Sequence, residues 1–307
     1  MTFGILCSGQ GLQSATMFTL TGCEAAAVPI FEEAAEHLGC DPRRLVAEMD
    51  EPALYENLTG QILCVTQALT AYACIKEAVP ARLVVAGYSV GEMAAWSIAG
   101  VWTSRELLSL VHVRANLMNH ARKPGDCLAA VRGLDRSLVT ELCKRHHCEI
   151  GIINPDRLFV VGGARLGILQ LCEEALVAGA TRASVLAVNI ASHTSRMEKA
   201  IAPFQLAIDS AHPRPLAHGK TLLSASNGMP IAQPALESSK LANQLASQLD
   251  WTACLEAMAE ANVDRILELG PGESLASMAR SISLFSDVRA LGDFRTAEGV
   301  RRWIMRP

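Results

Sequence analysis

A chain of 307 residues, half of them hydrophobic, can bury a sizeable core and fits one large domain or one carrying a small insert. A formal net charge of -4 and a pI near 6.1 leave no basic excess to hold phosphate backbones or anionic lipid, so neither nucleic acid nor membrane is an expected partner. The N-terminal Met1-Thr-Phe-Gly-Ile-Leu-Cys-Ser run has no basic leader and is too short for a signal peptide or a span. Ten cysteines, several at apolar helix positions such as Cys64, Cys74 and Cys254, read as small core residues of a reducing compartment, and the cytoplasm is expected.

In chain order, the first buried strand is expected at residues 5–8 and a long apolar helix over 59–78. A second strand, 83–86, runs into a helix over 91–99, and a third helix over 104–121 has Thr103-Ser104 as capping side chains. After Lys123-Pro124-Gly125-Asp126 the texture changes. Short strands at 127–131, 149–153, 158–162 and 183–186 enclose helices over 135–146 and 165–178, the split βαβ order of a ferredoxin-like unit. Strands at 265–269 and 288–291 then return to the first pattern. The expected fold class is α/β: an α/β-hydrolase-like large domain with a mostly parallel sheet (residues 1–125 and 191–307) and an inserted ferredoxin-like subdomain (126–190). The Cys143-Lys-Arg-His-His-Cys148 cluster matches no zinc spacing and has no second ligand pair after it, so no metal is expected.

The strand Leu83-Val84-Val85-Ala86 leads into Gly87-Tyr88-Ser89-Val90-Gly91 and then a helix, the nucleophile-elbow arrangement. Glycines flank the serine because a strained strand-to-helix turn leaves no room for side chains, and the helix N-terminus offers N–H groups to an oxyanion. A serine nucleophile needs a base, and eight histidines compete for that place: 37, 112, 120, 146, 147, 193, 212 and 218. An α/β-hydrolase would place its acid and then its histidine late in the chain, yet no histidine follows His218, which counts against a plain esterase.

On the helix from Ser104, Leu107, Val111, Arg114 and Met118 share one apolar stripe. A charge there needs a partner: a carboxylate taken bidentately by the guanidinium fork, or an internal acid.

Gly9-Gln10-Gly11-Leu12-Gln13, Gly87-Tyr88-Ser89-Val90-Gly91-Glu92 and Glu268-Leu269-Gly270-Pro271-Gly272, in that order, resemble the malonyl-CoA:acyl-carrier-protein transacylases. The likeness extends through Arg114, Asn154-Pro155, Ser192-His193, Asn227 and Asp250-Trp251, over nearly the whole chain. The resemblance implies that Ser89 and His193 form a dyad, with a backbone carbonyl near Asp250 orienting the imidazole. It implies an oxyanion hole from the N–H groups of Val90 and Gln10, and Arg114 gripping the free carboxylate of malonyl. Gln61, Met118, Asn154 and Asn227 match positions that line or brace the pocket. A coenzyme A thioester is the implied substrate, no cofactor is bound tightly, and an acyl carrier protein is the implied partner.

The usual elbow of that family has histidine before the serine and leucine after it, where this chain has Tyr88 and Val90, and Ser8 and Leu12 replace a common proline and serine. These departures are most similar to the epsilon subunit of malonate decarboxylase, which implies a carrier with a phosphoribosyl-dephospho-CoA thiol and other decarboxylase subunits as partners. The neighbouring readings are a fatty-acid-synthesis transacylase, a serine hydrolase and a noncatalytic carrier-docking subunit. The segment Ile190-Ala191-Ser192-His193 matches neither loop that polyketide acyltransferases pair with malonyl or methylmalonyl.

Overall fold

A computed structural model describes residues 2–306; Met1 and Pro307, the outer bounds of the expected large domain, lie outside the described residues. The apolar strands β1 (Thr2–Cys7) and β2 (Leu83–Gly87) are almost wholly buried, as parallel strands covered on both faces must be. With β7 (Lys220–Leu223), β8 (Pro230–Ile231), β10 (Val263–Glu268) and β11 (Asp287–Ala290) they form a sheet of order β11-β10-β1-β2-β7-β8. Every pairing in it is parallel except the terminal β7–β8 hairpin.

Five strands build the second sheet: β3 (Asp126–Arg132), β4 (Glu149–Asn154), β5 (Leu158–Ala164), β6 (Arg182–Val185) and β9 (Leu249–Asp250), in the order β6-β3-β5-β4-β9. The first four pair antiparallel. Helices Arg136–Arg145 and Arg165–Val177 pack Val139, Leu142, Ile168 and Leu171 against the sheet. Cys143 and Cys148 belong to this core, and His146 bonds Glu174 at 2.7 Å. The fold is mixed α/β.

Three features differ from the sequence expectation. The long apolar helix runs Asn57–Ile75 rather than 59–78, the chain turning at Lys76 ahead of Pro80. Strand β7 was not expected: Lys-Thr-Leu-Leu carries too short an apolar signal, and its pairing with β2 decides it. Asp250 does not stay with the large sheet, because β9 pairs with β4 in register Ile152–Leu249 and Ile153–Asp250. Asn57–Ile75 is also the one helix among the described residues long and apolar enough to cross a membrane, and 78% of that stretch is buried inside the molecule. It packs against the helices Gly91–Ile98 and Ser104–Ala121.

Candidate active site

β2 delivers Ser89 to the C-terminal edge of the large sheet, and the chain turns there into the Gly91–Ile98 helix. Ser89 has a left-handed backbone (φ 55°), a conformation costing a non-glycine residue about 1–2 kcal/mol. The flanking glycines are sterically required: a Cβ on Gly87 would meet the Gly91 carbonyl at 2.2 Å, and one on Gly91 would meet the Cys7 carbonyl oxygen at 2.0 Å. The loop after β1 closes over this turn because Gly9 lies where a Cβ would stand 2.8 Å from the Tyr88 carbonyl oxygen. Gln10 is thereby held beside the elbow. Neither its N–H nor that of Val90 donates to an acceptor among the described residues.

Of the eight histidines, the tertiary structure brings His193 to the serine: its Nε2 lies 2.7 Å from Ser89 Oγ. Its Nδ1 lies 2.6 Å from the backbone carbonyl oxygen of Gln244, which can only accept, so Nδ1 carries the proton and Nε2 faces the hydroxyl with its lone pair. The orienting carbonyl is thus that of Gln244 and not one near Asp250. The segment after helix Ser239–Asn243 passes the imidazole, whereas Asp250 is held in β9 and its side chain caps helix Trp251–Glu260 through Ala253 N–H at 3.0 Å. The His193 N–H also donates to the Leu245 carbonyl at 2.8 Å, fixing backbone and ring to one loop. Burial, and secondarily the Arg114 charge, lower the His193 pKa to about 3, against the opposing Gln244 hydrogen bond. The imidazole is neutral at rest.

Arg114 is 1% exposed within the stripe of Leu107, Val111 and Met118, all buried. Its Nη1 donates to Gln61 Oε1 at 2.5 Å, while Nε and Nη2 are buried without a partner. Gln61 is itself held by Asn57 Oδ1 at 2.7 Å and by Met118 Sδ at 3.4 Å. Burial pushes the guanidinium pKa down to about 10, opposed by the charge of Glu92. The cation remains charged at neutral pH and has two donor groups to offer an incoming anion.

A cavity of about 460 Å³ opens between the two sheets above Ser89 and His193. Gln10, Leu12 and Tyr88 line one side; Leu128, Asn154, Val160 and Arg182 line the other. Asn154 is buried there with both amide atoms unpaired. The Tyr88 ring packs edge-on against Trp251 at 5.4 Å, and burial drives its hydroxyl pKa above the ordinary phenol range, opposed by the nearby Asn154 side chain. Gln61 and Met118 are buried outside the lining of this cavity and brace Arg114, which is likewise not part of the lining.

Asn227 is not brought to the site. It is exposed in the β7–β8 turn, where its Oδ1 accepts the Met229 N–H at 3.1 Å. Conversely, Asn57, Gln244 and Glu92 serve the site without having been singled out for a role in the sequence. Glu92 carried the same signal as Arg114, a charge within an apolar helix face. Gln244 carried none, because a backbone carbonyl has no residue identity.

A strained serine on a strand-to-helix turn, bonded to a neutral buried imidazole, can pass its proton as it attacks an acyl carbonyl. The chain belongs to the acyl transferase domain family, whose model matches residues 5–237, and it is an acyltransferase. Over 306 residues it is 28% identical to the malonyl CoA-acyl carrier protein transacylase of Staphylococcus aureus, covering 97% of each chain. The Haemophilus influenzae transacylase of the same name is 27% identical over 295 residues, 91% of this chain and 92% of that one. Among solved structures, the acyl-carrier-protein S-malonyltransferase of Burkholderia pseudomallei superposes with TM-score 0.87 at 27% identity, covering 94% of this chain and 96% of that one. The MCAT of Mycobacterium tuberculosis does so with TM-score 0.90 at 25% identity over 100% of both chains.

Proposed function

We propose that the protein transfers malonyl from malonyl-CoA to the thiol of an acyl carrier protein through a malonyl ester on Ser89. The observation that carries this reading is Arg114, a buried guanidinium with two unpaired donor groups whose charge acts on the His193 imidazole that meets Ser89. An acyl group ending in a carboxylate satisfies those donors; an acetyl group leaves them orphaned, a loss on the order of 3 kcal/mol. The names of the curated relatives support the same acyl group and the same class of acceptor.

In the first half-reaction His193 Nε2 takes the Ser89 proton as Oγ attacks the thioester carbonyl. The oxyanion falls to the N–H groups of Gln10 and Val90, and CoA leaves as the thiol with the proton returned from Nε2. In the second, the carrier thiol gives its proton to Nε2 and displaces Ser89 Oγ, which is reprotonated. A malonyl carboxylate on Arg114 also offsets the positive charge that lowers the His193 pKa, so correct substrate raises the basicity of the base.

We read the large sheet as α/β-hydrolase-like and residues 126–190 as an inserted ferredoxin-like subdomain that supplies the second cavity wall, with β9 reaching across to it. Ten unpaired cysteines support a reducing, cytoplasmic setting. A second reading of the acceptor, the malonate decarboxylase carrier with its other subunits, is favoured by Tyr88 and Val90 at the elbow; the names of the relatives favour an ordinary carrier.

The test is intact-protein mass spectrometry after brief exposure to malonyl-CoA, then addition of a fatty-acid carrier or a decarboxylase carrier. A malonyl adduct on Ser89 discharged to the fatty-acid carrier is expected, with no adduct on Ser89→Ala. Retention of a stable malonyl ester by Ser89→Ala refutes the nucleophile, and preferential discharge to the decarboxylase carrier moves the protein to the second reading.

A further inference from the structure

Glu92 is the one charged residue of the largely buried helix that begins at Gly91; its carboxyl is 0% exposed and lies three residues after Ser89. Burying a carboxyl without partners costs several kcal/mol, so what meets it is informative. Three donors converge: Gln244 Nε2 at 2.7 Å, Ala225 N–H at 3.2 Å and Trp96 Nε1 at 3.4 Å. Trp96 stands one turn along the same helix. The other two belong to segments distant in sequence, the end of β7 and the loop that leads to β9.

Gln244 is therefore held at both ends. Its side chain is tied to the helix of the nucleophile, and its backbone carbonyl accepts from His193 Nδ1 at 2.6 Å. Because the peptide plane sets the direction of that carbonyl, freeing the side chain lets the plane turn and removes the acceptor that fixes the tautomer and rotation of the imidazole. Nε2 then leaves its place 2.7 Å from Ser89 Oγ.

We infer that Glu92 is a positioning residue for acyl transfer, which acts through Gln244 to aim His193 at Ser89. The inference rests on the reading of Ser89 and His193 as nucleophile and base given above. One carboxyl thus couples the turn that presents the nucleophile directly to the loop that orients the base.

The experiment compares full-length wild type, Glu92→Ala, Glu92→Gln and Gln244→Met in single-turnover acylation by malonyl-CoA, with Tm and the imidazole nitrogen spectrum of His193 recorded for each. Glu92→Ala is expected to slow acylation by about 10- to 100-fold with little change in KM, the size of loss that a small misplacement of a reacting group produces. Its His193 spectrum shifts toward a mixture of tautomers. Glu92→Gln, which keeps an acceptor for Gln244 Nε2 and Ala225 N–H, recovers most of the rate. Gln244→Met slows acylation like Glu92→Ala, and the double variant is no slower than the worse single one. A folded Glu92→Ala that acylates at the wild-type rate overturns the inference, as does a Glu92→Gln as slow as Glu92→Ala. Should Glu92→Ala fail to fold, a fast Gln244→Met overturns it equally. Wild type that takes no malonyl on Ser89 overturns the proposed function instead.

Discussion

Ser89 and His193, 104 residues apart, both adopt left-handed backbone, with φ of 55° and 61°, and meet at 2.7 Å between Oγ and Nε2. Each strained residue is over-determined by its surroundings: Ser89 by the glycines of its turn, His193 by the paired carbonyls of Gln244 and Leu245. Strain of this kind persists only where the rest of the fold supports it, and here it fixes a proton donor and acceptor in line.

The pH dependence of acylation follows from the depressed His193 pKa. With the folded-state value lowered to about 3 by burial and then Arg114, the neutral, basic form dominates above that pH. The kcat/KM for acylation is therefore expected to stay level as pH falls from 8 to 5. A pH–rate profile that loses activity around an ordinary histidine pKa of about 6.5 would sink this expectation.

Arg114→Met should lower kcat/KM for malonyl-CoA by roughly 100-fold while leaving acetyl-CoA turnover nearly unchanged, so that discrimination between the two collapses. Competition between the two thioesters, read by mass of the acyl-serine, measures the ratio. Equal loss on both substrates would instead make Arg114 a purely structural cation.

Glu268 gives a stability prediction of definite sign. Its carboxyl accepts from Ser8 Oγ at 2.5 Å and from Ala276 N–H at 2.7 Å, and burial raises its pKa to about 7, these bonds opposing. Between an unfolded value of 4.5 and that folded value the native state binds more protons than the unfolded state. The stability it contributes is complete below pH 4.5 and is lost as pH rises through about 7, at a slope of up to about 1.4 kcal/mol per pH unit. Glu268→Gln removes this component, so Tm measured at pH 5 and at pH 8 should differ less in the variant than in wild type.

Gly91→Ala is expected to cost about 3 kcal/mol or more, since the new methyl meets a backbone oxygen that no rotamer change can move. Thermal unfolding checks it, and a variant with wild-type Tm would show that the turn can open without penalty.

Asn227→Ala should leave kcat/KM within about twofold and lower stability by less than about 1 kcal/mol, because one exposed turn hydrogen bond is all that it loses. A loss of acylation beyond tenfold would return Asn227 to the site.

Much of this was legible in the sequence, and the limit falls at a definite place. Local chemistry announced itself. Gly87 and Gly91 around Ser89 signalled a strained turn, and Arg114 within an apolar stripe signalled a buried cation, because steric exclusion and the cost of burying charge act within one turn or one helix face. The alternating strands and helices likewise foretold a parallel sheet, and the change of texture after Lys123 foretold a second one.

What only the tertiary structure decided were the relationships across long sequence separations. The choice of His193 among eight histidines rested on resemblance until the fold brought its ring to Ser89, since nothing local distinguishes it from the others. The orienting carbonyl proved to be that of Gln244 rather than one near Asp250, because β9 draws Asp250 into the other sheet. Asn227 matched a pattern yet faces solvent in a hairpin turn. Sequence determines which groups must be buried, capped or strained; which distant carbonyl meets which imidazole depends on how two sheets and their connecting loops pack, and a backbone oxygen leaves no mark in the residue that bears it.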